Sequence, residues 1–197
     1  MTIQLDQISK QYSRQTVIHK FSYQFESGQS YAIHGHNGSG KSTLLQLLAG
    51  SILYTLDNAT IPVEVLYQHI SLAAPYMDLI EDMSMEEIVA FHFSFKDSIV
   101  DEPLEKINQL LGYDLSKLIK HYSSGMKQRL KLLLALFTAS NILFLDEPTA
   151  NLDDEGIAWY RDLVLRHQGN RTLIIASAQH HDHDFCAFKI SMTELAP

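Results

Sequence analysis

The sequence predicts an α/β fold: a mostly parallel sheet, an antiparallel β subdomain at the N-terminus and an inserted helical subdomain. Three observations predict it. Short apolar runs at 142–145 and 172–176 are separated by enough chain for a helix, the pattern of central parallel strands. Stretches 2–5 and 16–25 alternate, or nearly alternate, between apolar and polar residues, as antiparallel strands with one wet face do. From 76 to about 136 the apolar period becomes that of helices.

The elements follow in order. After the two alternating stretches, Glu26-Ser27-Gly28-Gln29 reads as a turn, and 30–34 as a short buried strand. A glycine-rich loop comes next, then a helix from about 41 to 49 that Gly50 stops. Residues 63–74 read as another strand, ended by Pro75. Ser84 with Glu87 three residues on forms a capping box ahead of a helix. Residues 104–111 are helical and stop at Gly112. Ser123 or Ser124 caps a further helix, along which Met126, Leu130, Leu133, Leu134 and Phe137 share one apolar face. The organisation is one domain over 1–197, with a core at about 1–75 and 137–197 and the helical subdomain at about 76–136.

A chain of 197 residues buries roughly 70% of its unfolded surface, enough to fold without disulfides or a structural metal. Its one cysteine, Cys186, allows no internal disulfide and fits a reducing compartment. The net charge of −8 argues against a uniformly basic nucleic-acid surface, so no nucleic acid is expected as a partner. The polar, alternating start does not read as a signal peptide, and no apolar run of about 18 residues is present to span a membrane. Membrane association would have to come through a partner.

Gly35-His36-Asn37-Gly38-Ser39-Gly40-Lys41-Ser42 fits G-x-x-x-x-G-K-[ST] between a strand and a helix. Glycines let the backbone curl so that several N–H groups face one anion, and the helix start adds the positive end of its dipole. Lys41 supplies a point charge for β- and γ-phosphates, Ser42 a hydroxyl for Mg²⁺, and Thr43 a contact to the α-phosphate. Such a core is that of a P-loop NTPase, with ATP and Mg²⁺ as cofactors.

The apolar run at 142–145 ends in Asp146-Glu147-Pro148. Open α/β sheets place ligands beyond the carboxyl ends of their strands, so this acidic pair and the loop can face one crevice. Asp146 would hold Mg²⁺, directly or through water, and Glu147 would orient and polarise a water aimed at the γ-phosphate.

Tyr122-Ser123-Ser124-Gly125-Met126-Lys127-Gln128-Arg129 resembles the LSGGQ-type signature of ABC ATPases, and Pro148-Thr149-Ala150-Asn151-Leu152-Asp153 resembles their EPT-x-x-LD segment with its D-loop. The resemblance runs over essentially the whole chain, and the order of motifs is more specific than any one of them. It implies that Tyr12 stacks on adenine and that Ser123 and Gly125 close over the ATP of a second domain packed head to tail. It also implies a homodimer or a heterodimer with a second ABC ATPase domain. A separate transmembrane permease subunit would hold the chain peripherally on the cytoplasmic face of the membrane.

Two positions depart from the family pattern. Pro75 stands where the Q-loop glutamine ends its strand, with Gln68 nearby but inside the expected strand. Ala178 stands where the switch histidine follows the last core strand, and Gln179, His180, His181 and His183 come just after it. One of these could reach the γ-phosphate, or the segment could be a polar surface turn. A metal site from His180, His181, Asp182 and His183 is a weaker reading, because adjacent histidines point apart on most backbones.

Three functions fit this pattern. The chain is the ATPase subunit of an ABC transporter, a soluble ABC ATPase working as a mechanical switch, or a regulatory ATP-binding module with weak turnover. The first is favoured, with hydrolysis of ATP coupled to transport. Phe91, Phe93 and Phe95, with Tyr76, are candidate anchors for the permease, although core packing is the commoner fate of such a cluster.

Overall fold

A computed structural model describes residues 2–13, 15–53 and 68–192. Among them are two sheets. The first is a two-stranded antiparallel ribbon of β1 (Ile3–Tyr12) and β2 (Gln15–Phe25). The second has five strands: β3 (Ser30–His34), β4 (Ile70–Ala73), β5 (Ile142–Asp146), β6 (Thr172–Ser177) and β7 (Phe188–Ser191), in the order β4-β5-β6-β3-β7. The pairs β3–β6, β3–β7 and β5–β6 are parallel. The α/β class read from the sequence is the one observed, with the parallel sheet and the N-terminal antiparallel ribbon both present.

β1 is longer than the expected 2–5 because its alternation breaks midway. Gln7 sits at φ 48 and Lys20 on the facing strand at φ 46, so the ladder shifts register there. Serine hydroxyls accept the backbone N–H groups that the shifts leave over: Gln7 N donates to Ser22 Oγ (2.8 Å) and Lys20 N to Ser9 Oγ (3.0 Å). Ile8 and Ser9 are therefore buried in succession, a pattern that strict period two does not predict.

The expected strand at 63–74 needs correcting. Its first part, 63–67, lies outside the described residues; Gln68 and His69 are helical, and strand pairing begins only at Ile70. His69 is pinned at that junction: its carbonyl accepts from Asn141 N (2.8 Å) and its Nδ1 lies 2.7 Å from Asn141 Oδ1. Gln68 is therefore not a strand residue.

The chain divides into two compact units. One comprises Met1–Leu72, Ser140–Glu147 and Asn170–Pro197; the other comprises Ala73–Ala139 and Pro148–Gly169. The first contains both sheets and helix α1 (Lys41–Leu48). Its core joins Leu44, Leu45, Leu47 and Leu48 of α1 to Phe25, Ile33, Phe144 and Ile174 from the strands.

The second unit is helical: α2 (Met85–Phe93), α3 (Pro103–Leu111), α4 (Ser124–Phe137) and α5 (Asp154–His167). The Ser84–Glu87 capping box is formed, with Ser84 N donating to Glu87 Oε2 (2.8 Å) and Glu87 N to Ser84 Oγ (3.2 Å). Leu130, Leu133, Leu134 and Phe137 are buried as the apolar face of α4 requires, and Leu132, Ala135 and Leu136 are buried as well. No helix among the described residues is long and apolar enough to cross a membrane.

Candidate functional site

The register of the parallel strands assembles the site in the first unit. His34 pairs with Ser177, and Asp146 with Ala176, so β3, β5 and β6 end together. The residues that leave those ends, from Gly35, Glu147 and Ala178 onward, therefore share one edge of the sheet. β5 and β6 are buried along their full length, which fixes where those ends lie.

Beyond β3 the loop exposes His36, Asn37 and Gly38 at its tip, with Gly35, Ser39, Gly40, Ser42 and Thr43 half-buried. Gly40 has φ 95, and a Cβ there would come within 2.7 Å of Val17 Cγ1, so only glycine fits without strain. It caps α1 without a side chain, and the first turn of α1 carries no acid. The helix therefore starts with amide groups that no side chain has neutralised, a ready site for an anion.

Lys41 is only 4% exposed. Its ammonium donates to the carbonyls of Gly35 and His36, both at 3.2 Å, and lies 3.4 Å from Glu147 Oε1. The loop thus curls around a buried cation whose partners are main-chain oxygens and one carboxylate.

Asp146 is wholly buried, and neither of its oxygens has a hydrogen-bond partner among the described residues. Burial pushes its pKa up to about 6; the Ser42 hydroxyl and the Lys41 ammonium work against that rise, and the Glu147 charge adds to it. A buried carboxylate with unused lone pairs beside a serine hydroxyl is the donor set of a hard divalent cation, so Asp146 and Ser42 fit Mg²⁺.

Glu147 has φ 42, in the left-handed region, and its backbone N donates to Ala176 O (2.8 Å). The turn points its side chain back along the sheet edge. Ser177 Oγ donates to Oε2 (2.8 Å) and Ala178 N to Oε1 (3.1 Å), which together with Lys41 completes its contacts among the described residues. At the switch position the chain thus offers Glu147 a main-chain amide and the preceding hydroxyl. Among the described residues no side chain of Gln179, His180, His181 or His183 makes a hydrogen bond or ion pair with it. His183 is buried, and both its ring nitrogens lack hydrogen-bond partners among the described residues. No group of three or more His, Cys, Asp or Glu among the described residues is arranged to hold a metal ion, which removes the histidine-cluster reading.

Tyr12 ends β1, 45% exposed, with the Lys10 ammonium over its ring, 5.0 Å from the centroid.

Ser123 and Gly125 lie in the second unit at the start of α4. Ser123 Oγ accepts from Met126 N (3.2 Å), so its hydroxyl does cap the helix, and the amides of the first turn stay at the surface. Gly125 is fixed by a neighbour: a Cβ there would meet Asn151 O at 2.9 Å. Gln128 Nε2 donates to Pro148 O (2.8 Å) and Arg129 Nη2 lies 3.5 Å from Asp153 Oδ1. These bonds tie the start of α4 to the segment 148–153, and the sequence reading assigned no role to Gln128, Asn151 or Asp153.

Pro75 is exposed in a turn. The expectation that core packing absorbs the aromatic cluster does not hold. Tyr76, Phe91 and Phe95 are 45%, 43% and 64% exposed, Met77 and Ile80 are exposed as well, and Phe93 is half-buried. Phe91, in the last turn of α2, and Phe95, two residues beyond its end, have ring centroids 5.2 Å apart and cover each other rather than insert into a core.

The family model described as ABC transporter matches residues 18–150. The chain belongs to the ABC transporter family. It is 33% identical over 209 residues to the ABC transporter ATP-binding protein YybJ of Bacillus subtilis (strain 168), covering 98% of this chain and 90% of that one. It is 27% identical to the lantibiotic transport ATP-binding protein SrtF of Streptococcus pyogenes, covering 94% and 86%. It spans only 8% of ATP-binding cassette sub-family A member 2 of Homo sapiens, at 24% identity. Among solved structures, the dimeric bacterial ABC transporter cassette MJ0796 superposes with a TM-score of 0.80 at 18% identity, over 98% of this chain and 95% of that one, so the ABC cassette fold is shared.

Proposed function

We propose that this chain binds and hydrolyses ATP as the ATPase subunit of an ABC transporter, driving a separate transmembrane permease. The observation that carries the reading is the buried Lys41 ammonium, ringed by main-chain oxygens beside the uncapped start of α1 and facing Glu147. A triphosphate would replace those carbonyls and that carboxylate as the partner of Lys41, while the amides of the loop and of α1 take the phosphate oxygens. Gly35, His36, Asn37, Gly38, Ser39, Gly40, Ser42 and Thr43 line the loop that does this, and Tyr12 would stack on the adenine. Ser42 and Asp146 would hold Mg²⁺, which neutralises phosphate charge when bound.

Glu147, once released by Lys41, would hold a water in line with the γ-phosphate and polarise it. Catalysis of this kind is mostly positioning and charge stabilisation. Ser123 and Gly125 of a second ABC ATPase domain, identical or not, would complete the site, as the dimeric state of the MJ0796 cassette supports. ATP would then close the dimer, and hydrolysis would reopen it. The same cassette is known as a post-hydrolysis dimer bound to ADP and Pi. Tyr76, Phe91 and Phe95, exposed on the helical unit, are the proposed anchors for the permease. Through that contact the chain would sit peripherally on the cytoplasmic face of the membrane.

Ala178 favours a second reading, an ATP-binding module with weak turnover, because a methyl group replaces the side chain that the family resemblance leads one to expect there. Titration with Mg-ATP and steady-state hydrolysis separate the two. Lys41→Ala should lose Mg-ATP affinity, and undiminished affinity refutes the binding site. Glu147→Gln should bind Mg-ATP and fail to turn it over. If the wild-type chain with its permease is as inactive as Glu147→Gln, the module reading replaces the ATPase.

A further inference from the structure

Glu147 is held by a side-chain relay. Ser177 Oγ lies 2.8 Å from Glu147 Oε2 and 2.6 Å from Asp182 Oδ2, and it accepts from Gln179 N at 3.0 Å. Asp182 is 0% exposed and begins no helix that would need a cap; it ends the short 3₁₀ turn His180–Asp182. A hydroxyl has one proton to donate and two lone pairs. It cannot donate to both carboxylates at once. All three contacts are satisfied together when the Asp182 carboxyl donates to Ser177 Oγ, Ser177 donates to Glu147, and the remaining lone pair takes Gln179 N–H. The reverse arrangement, with the proton on Glu147, would leave Glu147 unable to polarise a water. Other titratable groups face the relay: His181 Nε2 lies 3.5 Å from Asp182 Oδ1, His183 feels the Asp182 charge, and Lys41 Nζ lies 3.4 Å from Glu147 Oε1.

From this geometry we infer that Asp182, acting through Ser177, is a positioning residue that aims Glu147 at the reacting phosphate and takes over a task that Ala178 has no side chain to perform. The inference rests on the reading of Glu147 as the group that polarises water. Its importance grows when nucleotide binds. Lys41 then turns to the phosphates, and the groups left on Glu147 are the Ala178 amide and the Ser177 hydroxyl. The amide fixes one oxygen; without the hydroxyl the carboxylate can rotate about it. Misplacement of a catalytic group by about 1 Å can cost about a hundredfold in rate.

The test is hydrolysis of Mg-ATP by the full chain with its permease, with kcat, KM, Mg-ATP affinity and melting temperature measured on each variant. Ser177→Ala and Asp182→Ala are each expected to lower kcat by about tenfold to a hundredfold, with KM and affinity within about twofold of wild type. Ser177→Thr should restore turnover, because it returns the hydroxyl. Asp182→Asn should keep most of it, because its amide still donates to Ser177. The double variant should be no slower than Ser177→Ala, as expected of two residues in one relay.

Wild-type turnover in Ser177→Ala, with Glu147→Gln inactive, overturns the relay and leaves the role of Glu147 standing. Full turnover in Glu147→Gln refutes that role itself, and the relay with it. A fall in kcat matched by an equal fall in Mg-ATP affinity or stability marks a purely structural role and also overturns the inference. Should Asp182→Ala fail to fold, Ser177→Ala against Ser177→Thr still decides.

Discussion

Asp146→Asn should change how the stability of the nucleotide-free protein depends on pH. The Asp146 carboxyl is fully buried and has a pKa pushed up to about 6, from an ordinary 3.8. That difference corresponds to about 3 kcal/mol of penalty on the ionised form in the folded state. The sign follows from proton counting. Between the two values the folded protein binds more protons than the unfolded chain, so its stability falls as pH rises. The contribution is fully present below about 3.8 and is lost as pH passes through about 6. At pH 5 roughly half of it, about 1.4 kcal/mol, remains, and at pH 8 essentially none. Asparagine does not titrate. Urea unfolding of wild type and Asp146→Asn at pH 5 and pH 8 should therefore give a stability difference that shifts by roughly 1–1.5 kcal/mol in favour of the variant at pH 8. Groups that titrate in both proteins cancel in this comparison. Mg-ATP should reverse the advantage: a ligand at a hundred times its Kd adds about 2.7 kcal/mol to whichever protein still binds it, and the variant lacks the proposed cation ligand. An unchanged difference between the two pH values would refute the claim that burial of this carboxylate outweighs the Ser42 hydroxyl and the Lys41 ammonium beside it.

Two further outcomes are expected. Ser84→Ala removes the bond from Glu87 N to Ser84 Oγ and leaves the one that the main-chain N of residue 84 donates to Glu87, and should cost about 1 kcal/mol, read as a lower urea midpoint at unchanged m-value. Cys186 is buried and its thiol is pushed up to about 12 by burial, so at pH 8 a thiol reagent should label it only as fast as the protein opens, and at once in denaturant.

The legible parts of the fold were those in which local chemistry and global structure agree. Ser84 and Glu87 announce their helix with a reciprocal pair of bonds, and that pair is formed. The runs at 142–145 and 172–176 are apolar because both faces of their strands are covered, and the strands are buried end to end. Where two rules conflict, the sequence misleads. β1 reads as short because the left-handed residue Gln7 resets its alternation. β7 is a four-residue edge strand with one buried side chain, too short to show a period. α5 did carry a signal: Gly156, Tyr160, Leu163 and Val164 are buried at helical spacing behind an Asp153 cap, among enough charges to mask it. The aromatic cluster failed for a different reason. Phe is usually buried, so periodicity and frequency both favour a core, and neither registers an apolar residue left at the surface.

The two departures from the family pattern have different physical weight. At Pro75 an exposed turn residue offers no side-chain donor or acceptor, so the contact expected of the Q-loop glutamine has no counterpart there. At Ala178 the loss is smaller, because the main chain still delivers an N–H to Glu147 and the residue before it delivers a hydroxyl. That compensation depends on register. Ser177 is the last residue of β6, opposite His34 of β3, and Glu147 N is bonded to Ala176 O of the same strand. A slip of one residue along β6 would turn the hydroxyl to the other face of the sheet and bring Ala178 into its place. The proposed positioning of Glu147 therefore depends on the register of β6, whose six residues are all buried.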